Sequence, residues 1–316
     1  MRERGGWPLD LLEALDLADL PRRWPADILQ AGQLAGYLQR EVALAAGLPA
    51  RLPIAQGLMD SYAASIAANV FAPGQLSLSL GSSSSYLGLI EVPTSDTRLL
   101  GPVPDAFGVG TWAMQGGQTS AASLLRWFRD QIAPGIDYAT LDREASMIPP
   151  GSEGLHALDT WQGSRTPHRD PSSRGSFWGL SLGHSRAHLY RALLESVAYG
   201  GRQIVETMQD AGVKVEQIVA CGGGARSPLW MQIHANILEK PVTVLNEPHA
   251  AALGAAMCAA VTTGWYDQVQ AAAAALTRSG RTFLPDPEHS EFYREGYTRY
   301  QAGYTALRQL LENVVV

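Results

Sequence analysis

With 316 residues, 46% hydrophobic and 17% charged, the chain can form one large or two medium domains around a substantial core. A formal net charge of −6 and the lack of any Lys/Arg run exclude a polybasic nucleic-acid surface. The two cysteines, Cys221 and Cys258, have no CxxC partner, and no apolar leader or membrane-length apolar run is visible. These features argue against a disulfide framework, a zinc site or a membrane partner, and for a cytoplasmic protein.

Residues 8–46 read as two amphipathic helices, the first through Leu11, Leu12, Leu15 and Leu17, the second from Ile28 to Leu44 with interruptions near Gly32 and Gly36. A strand over Pro53–Gln56 leads to a turn at Asp60 and a small-residue helix. A second strand, Leu76–Leu80, ends in serines, and Tyr86–Glu91 reads as its antiparallel mate. Thr94–Pro104 is polar, Thr119–Ile132 is helical, and 147–176 is a long loop rich in Pro, Gly, Ser and Arg. His184–Ala211 carries a strong helical pattern. Tyr293, Tyr297, Tyr300 and Tyr304 share one face of a last helix and read as core packing.

The most informative stretch is Gln217–Trp230. An apolar run enters Gly222-Gly223-Gly224, and Ser227-Pro228 then open a helix, giving strand, glycine turn, helix. Such a turn lets backbone approach a flat or anionic ligand, while the helix start offers unpaired N–H groups. A purely structural turn fits equally well, because the spacing matches neither GxGxxG nor GxxxxGK[ST]. A Rossmann dehydrogenase is disfavoured by the turn's late position and the lack of an acidic ribose residue at the expected distance.

The run from Gly222 to Val261 resembles the adenosine-binding end of the FGGY carbohydrate kinases, members of the actin-like, ribonuclease H-like ATPase folds. Other segments resemble that family in the same order: Ile54–Ala63 around Asp60, Leu78–Ser84, Gly116–Ala122 and Trp161–Pro171. The resemblance implies an α/β chain with a complete nucleotide-binding domain over 76–316 and the remnant of a sugar-binding domain over 1–75. It also implies ATP and Mg²⁺ as cofactors, no protein-held metal, a small sugar substrate such as a pentulose (ribulose in particular), and a homodimer as an option.

By that resemblance Asp60 is the general base and touches the sugar. Gly81, Ser82 and Ser83 face the phosphates, Gly116, Gly117 and Gln118 approach the nucleotide, and Gly222, Gly223, Gly224 and Ser227 flank adenine and ribose. Read from residues alone, Asp60 suits a helix cap, Gly81–Ser85 an ordinary serine turn, and Gly116–Gln118 a helix-start turn. Asn236 stands where the family often has aspartate. Arg165, His168, Arg169 and Asp170 read as salt bridges organising a loop, and His184, His188 and His249 as structural. The family's N-terminal Asp-x-Gly-Thr phosphate hairpin is not found in this sequence. An alternative to a kinase is therefore a catalytically inactive nucleotide-binding or interaction module.

Overall fold

The computed structural model describes residues 7–25, 28–108 and 110–312. In chain order the elements are α1 (Leu9–Ala14), β1 (Leu34–Tyr37), α2 (Arg40–Ala45), β2 (Pro53–Ala55), α3 (Asp60–Ala67), β3 (Gly74–Leu80), β4 (Ser84–Ile90), β5 (Leu100–Pro104) and β6 (Trp112–Gly116). They continue with α4 (Ala122–Gln131), α5 (Tyr138–Ser146), β7 (His156–Leu158), β8 (Ser176–Trp178), α6 (Arg186–Asp210), β9 (Val215–Cys221), α7 (Pro228–Leu238), β10 (Val242–Leu245), α8 (Ala250–Thr262), α9 (Val269–Leu276), β11 (Ser279–Phe283) and α10 (Pro287–Glu312).

Seven strands form one mixed sheet, in the order β11-β10-β9-β3-β4-β6-β5. β10, β9 and β3 run parallel, whereas β3, β4, β6 and β5 pair antiparallel. Alternation along the strands divides the core. Leu76, Leu78 and Leu80 of β3 and Tyr86 of β4 pack with α6 and α7 residues such as Leu193, Val197 and Trp230. Leu87 and Leu89 face the opposite layer with Tyr62 and Ile66 of α3 and Met257 and Cys258 of α8. Both cysteines are buried and free, and burial pushes the Cys221 thiol up to about 11.

The expected helix over Ile28–Leu44 is not formed. Gly32 (φ +81°) and Gly36 (φ +156°) leave the right-handed helical region. Leu34–Tyr37 instead pairs antiparallel with Pro53–Ala55, and only Arg40–Ala45 is helical. The first expected helix stops at Ala14, with Asp16 left-handed at φ +58°. The polar stretch before Pro104 contains β5, and the long loop after 147 contains a 3₁₀ turn and β7. Elsewhere the expected strands and helices form, including the Leu76–Leu80 strand with its antiparallel mate.

The tyrosine stripe of α10 is buried in the main core. It also carries polar work, because Tyr293 donates to Glu195 (2.9 Å) and Tyr300 to Asp159 (2.6 Å). No described helix is long and apolar enough to cross a membrane.

Candidate functional site

β3 and β9 lie side by side and parallel, with Ser79 opposite Cys221. Their C-terminal ends therefore deliver Gly81–Ser83 and Gly222–Gly224 to the same edge of the sheet. A cavity of about 680 Å³ opens there, a volume suited to a nucleotide-sized molecule. Gly81, Ser82, Gly223, Gly224 and Ser227 line it, so the structure brings together five of the residues expected from sequence.

The three glycines do different things. Gly222 (φ +94°) lies against the Leu80 carbonyl, where an added Cβ would come within 2.7 Å of the oxygen. Gly224 is wedged between Leu80 and Trp230, each 2.7 Å from where its Cβ would be. Only Gly223 faces open space. Close packing of the turn on β3 thus accounts for two of the glycines, and clearance toward the cavity for one. Ser227 caps α7, its hydroxyl accepting from the Trp230 N–H at 3.1 Å, and also lines the cavity.

Sequence reasoning missed the opposite wall: Tyr138 and Asp142 of α5, Arg126 of α4, Tyr190 of α6 and Arg226. Arg226 stands inside the glycine-turn run without having been singled out, and no motif marks the other four, which come from helix faces. Among the described residues Asp142 is the only carboxylate in the lining. Its partial burial raises its pKa, against hydrogen bonds from Ser227 and Tyr190 that lower it; Tyr190 donates to Oδ1 at 3.2 Å. One carboxylate does not make a resident Mg²⁺ site. Among the described residues no three His, Cys, Asp or Glu side chains converge.

Gly116, Gly117 and Gln118 do not line this cavity. Gly116 lies on a separate 250 Å³ pocket with Met59, Gln115, Arg165 and Thr166. At Gly117 a Cβ would overlap the Arg165 guanidinium and the Ser84 carbonyl. Gln118 is buried, its side chain bonded to Ser84, Asp159 and Val197.

Asp60 opens α3 on the surface. Its Oδ1 accepts from the Ser61 N–H at 2.7 Å, and it is exposed and outside the 680 Å³ cavity. Its neighbour Met59 lines both the 250 Å³ pocket and a 560 Å³ groove with Ile28, Gly57 and Tyr62.

The loop expected to be tied by salt bridges is tied by hydrogen bonds. Arg165 donates to the Ser84 carbonyl (3.0 Å) and Arg169 to the Leu99 carbonyl (2.9 Å). His168 stacks on Tyr304 at 3.9 Å between ring centroids. Asp170 accepts from the Ser172 and Ser173 hydroxyls, and with their backbone N–H groups they hold its carboxyl at about 2, against the upward push of burial. His188 caps α6 through Ser185, as a structural histidine should.

Residues 76–263 match the C-terminal domain of the FGGY family of carbohydrate kinases. A ribulokinase of Halalkalibacterium halodurans is 34% identical over 87% of this chain and 52% of its own length. A xylulose kinase of Bacillus subtilis is 29% identical over 90% of this chain and 57% of its own. The crystal structure of a Rhodospirillum rubrum xylulose kinase superposes with a TM-score of 0.81 at 33% identity, covering 95% of this chain and 60% of that one. The chain spans about half the length of these curated relatives. The match over most of the sheet, with its actin-like strand order, places this chain in the FGGY family of carbohydrate kinases.

Proposed function

We propose that this chain carries the nucleotide-binding half of an ATP-dependent sugar kinase whose acceptor is a pentulose, ribulose first. The observation that carries this reading is the cavity where Gly81–Ser82 and Gly223–Gly224 meet at the ends of parallel strands. Gly223 leaves clearance for the purine and ribose beside Ser227, and Arg126 and Arg226 supply positive charge. The Gly81–Ser83 loop receives the phosphates. Mg²⁺ enters with the nucleotide rather than on a protein-held site. The choice of a pentulose is supported by the ribulokinase and xylulose kinase relatives.

In this reading Asp60 takes the proton of the attacking hydroxyl. The sugar oxygen bonds to the γ-phosphorus as the bond to the β-phosphate oxygen breaks, and ADP leaves. Exposure leaves the Asp60 carboxylate open to a substrate. Positioned general-base help is worth roughly 10²–10⁴ in rate.

That same exposure favours one other reading, a nucleotide-binding module without turnover. Calorimetry with ATP, followed by coupled ADP release across pentuloses, tetritols and glycerol, separates the two. Turnover that falls by about 10² or more in Asp60→Asn supports the kinase with Asp60 as base. ATP binding without turnover on any acceptor supports the module, and turnover indifferent to Asp60→Asn removes the base.

A further inference from the structure

Beneath the Gly81–Ser83 loop runs a row of buried polar groups that touches none of the 680 Å³ cavity. It begins on α10, where the Tyr300 hydroxyl donates to Asp159 Oδ1 at 2.6 Å. Asp159 Oδ2 accepts from Gln118 Nε2 at 2.7 Å, and the same Nε2 donates to the Val197 carbonyl at 2.9 Å. With both its donors used, the Gln118 amide must turn Oε1 toward Ser84. Oε1 accepts from the Ser84 hydroxyl at 2.6 Å, and Ser84 Oγ accepts in turn from the Gln118 backbone N–H at 3.1 Å.

Ser84 directly follows the loop and is held on every side. Its N–H donates to the Gln118 carbonyl (3.1 Å), and its own carbonyl accepts from Arg165 Nη2 (3.0 Å). Within the loop the Gly81 N–H donates to the Ser83 carbonyl (3.0 Å). The Ser82 carbonyl accepts from the Ala121 N–H (2.9 Å) and the Ser123 hydroxyl (2.7 Å). The polarity of the row is one-directional: an acceptor-only carboxylate at Asp159 decides which way the Gln118 amide faces, and that decides what Ser84 meets.

We infer that Asp159 and Gln118 are positioning residues that set the shape of the Gly81–Ser83 loop for a nucleotide's phosphates, with Tyr300 coupling the carboxy-terminal helix α10 to that loop. The inference rests on the nucleotide reading of the cavity. Neither residue touches the ligand. An amide at 159 either sets N–H against Gln118 Nε2, or makes Gln118 turn over and present N–H to Ser84, or turns its own N–H to Tyr300, whose hydroxyl must then accept where it donated; one link of the row is reversed in every case.

The test compares ATP with AMP, because only ATP carries the β- and γ-phosphates the loop would receive. Titration calorimetry on Asp159→Asn and Ser84→Ala should show ATP bound about fivefold to tenfold more weakly, and AMP within about twofold of the parent. The double variant should bind ATP no more weakly than the worse single one. Equal weakening of ATP and AMP, or single effects that multiply in the double variant, overturns the inference. Should Asp159→Asn fail to fold, Tyr300→Phe, which deletes one hydroxyl at the far end of the row, carries the same expectation. A parent protein that binds neither nucleotide sinks the nucleotide reading and this inference with it, whereas a parent that binds both keeps the two separable.

Discussion

Gly254 of α8 lies directly over the Ala63 carbonyl of α3, so close that a Cβ at 254 would overlap the peptide. The helix that carries Asp60 is thus seated on α8 by a close backbone approach at this point, beside the packing of Tyr62 and Ile66 with Met257 and Cys258. Gly254→Ala must push the helices apart. We expect a loss of about 1–3 kcal/mol, read as a lower urea midpoint at unchanged slope. A variant as stable as the parent would show that α3 is not held there.

Within the glycine turn, neighbouring substitutions should act oppositely. Gly222→Ala introduces a side chain at φ +94° against the Leu80 carbonyl and should destabilise the fold by about 1–3 kcal/mol. Gly223→Ala meets no atom within 4 Å and should leave stability within about 1 kcal/mol while weakening nucleotide binding. Thermal denaturation beside ATP titration checks both; a Gly223→Ala variant with undiminished affinity would place the ligand elsewhere.

Arg191 and Glu195 form a buried pair at 2.8 Å. Arg191 also holds the Ala145 and Ile148 carbonyls, while Glu195 accepts from the Gly151 N–H, the Ser152 hydroxyl and Tyr293. Burial raises the Glu195 pKa, opposed by Arg191. Removing the cation by Arg191→Ala leaves that carboxyl without its counter-charge and should cost roughly 3–5 kcal/mol. Denaturant unfolding measures it, and a cost under about 1 kcal/mol would mean the pair is dispensable.

Asp159 gives the fold a pH signature. Burial raises its carboxyl from 3.8 to about 6, against the hydrogen bonds from Tyr300 and Gln118 that lower it. Tyr86 and Tyr300 face it, and Arg165 lines the same small pocket. A folded-state value above the unfolded one means its contribution is fully present below about pH 4 and is lost as pH rises through about 6, on the order of 3 kcal/mol at most. The stability of the parent relative to Asp159→Asn should therefore decline between about pH 4 and 7. A difference that stays flat across that window would mean Asp159 titrates as an ordinary carboxylate.

Much of the architecture was legible from periodicity and punctuation. The strand ending at Leu80 and the glycine turn at 222 announce themselves, and so do the long helix after His184 and the tyrosine stripe. β1 was not legible, because four mostly exposed residues have no alternation to display and borrow their pairing from Pro53–Ala55. The far wall of the cavity was hidden for another reason. Tyr138, Asp142 and Tyr190 belong to helices whose patterns report only which side is buried, and meet at the site only through packing. Gln118 was assigned to the nucleotide by the resemblance of the Gly116–Ala122 segment to the family's. Its amide instead points inward, satisfied by Ser84, Asp159 and Val197, which no spacing rule could foretell.

The pairing of β3 with β9 joins segments separated by nearly half of the chain, with Leu78 beside Ala220. Closing so long a loop must precede any binding pocket at that edge, and contacts of such sequence separation slow folding. Fragments that stop before β9 should hold local hairpins such as β3–β4 yet bind no nucleotide. On the proposed function, nucleotide binding would thus be a late event in chain assembly, and its appearance would report that the halves of the sheet have found each other.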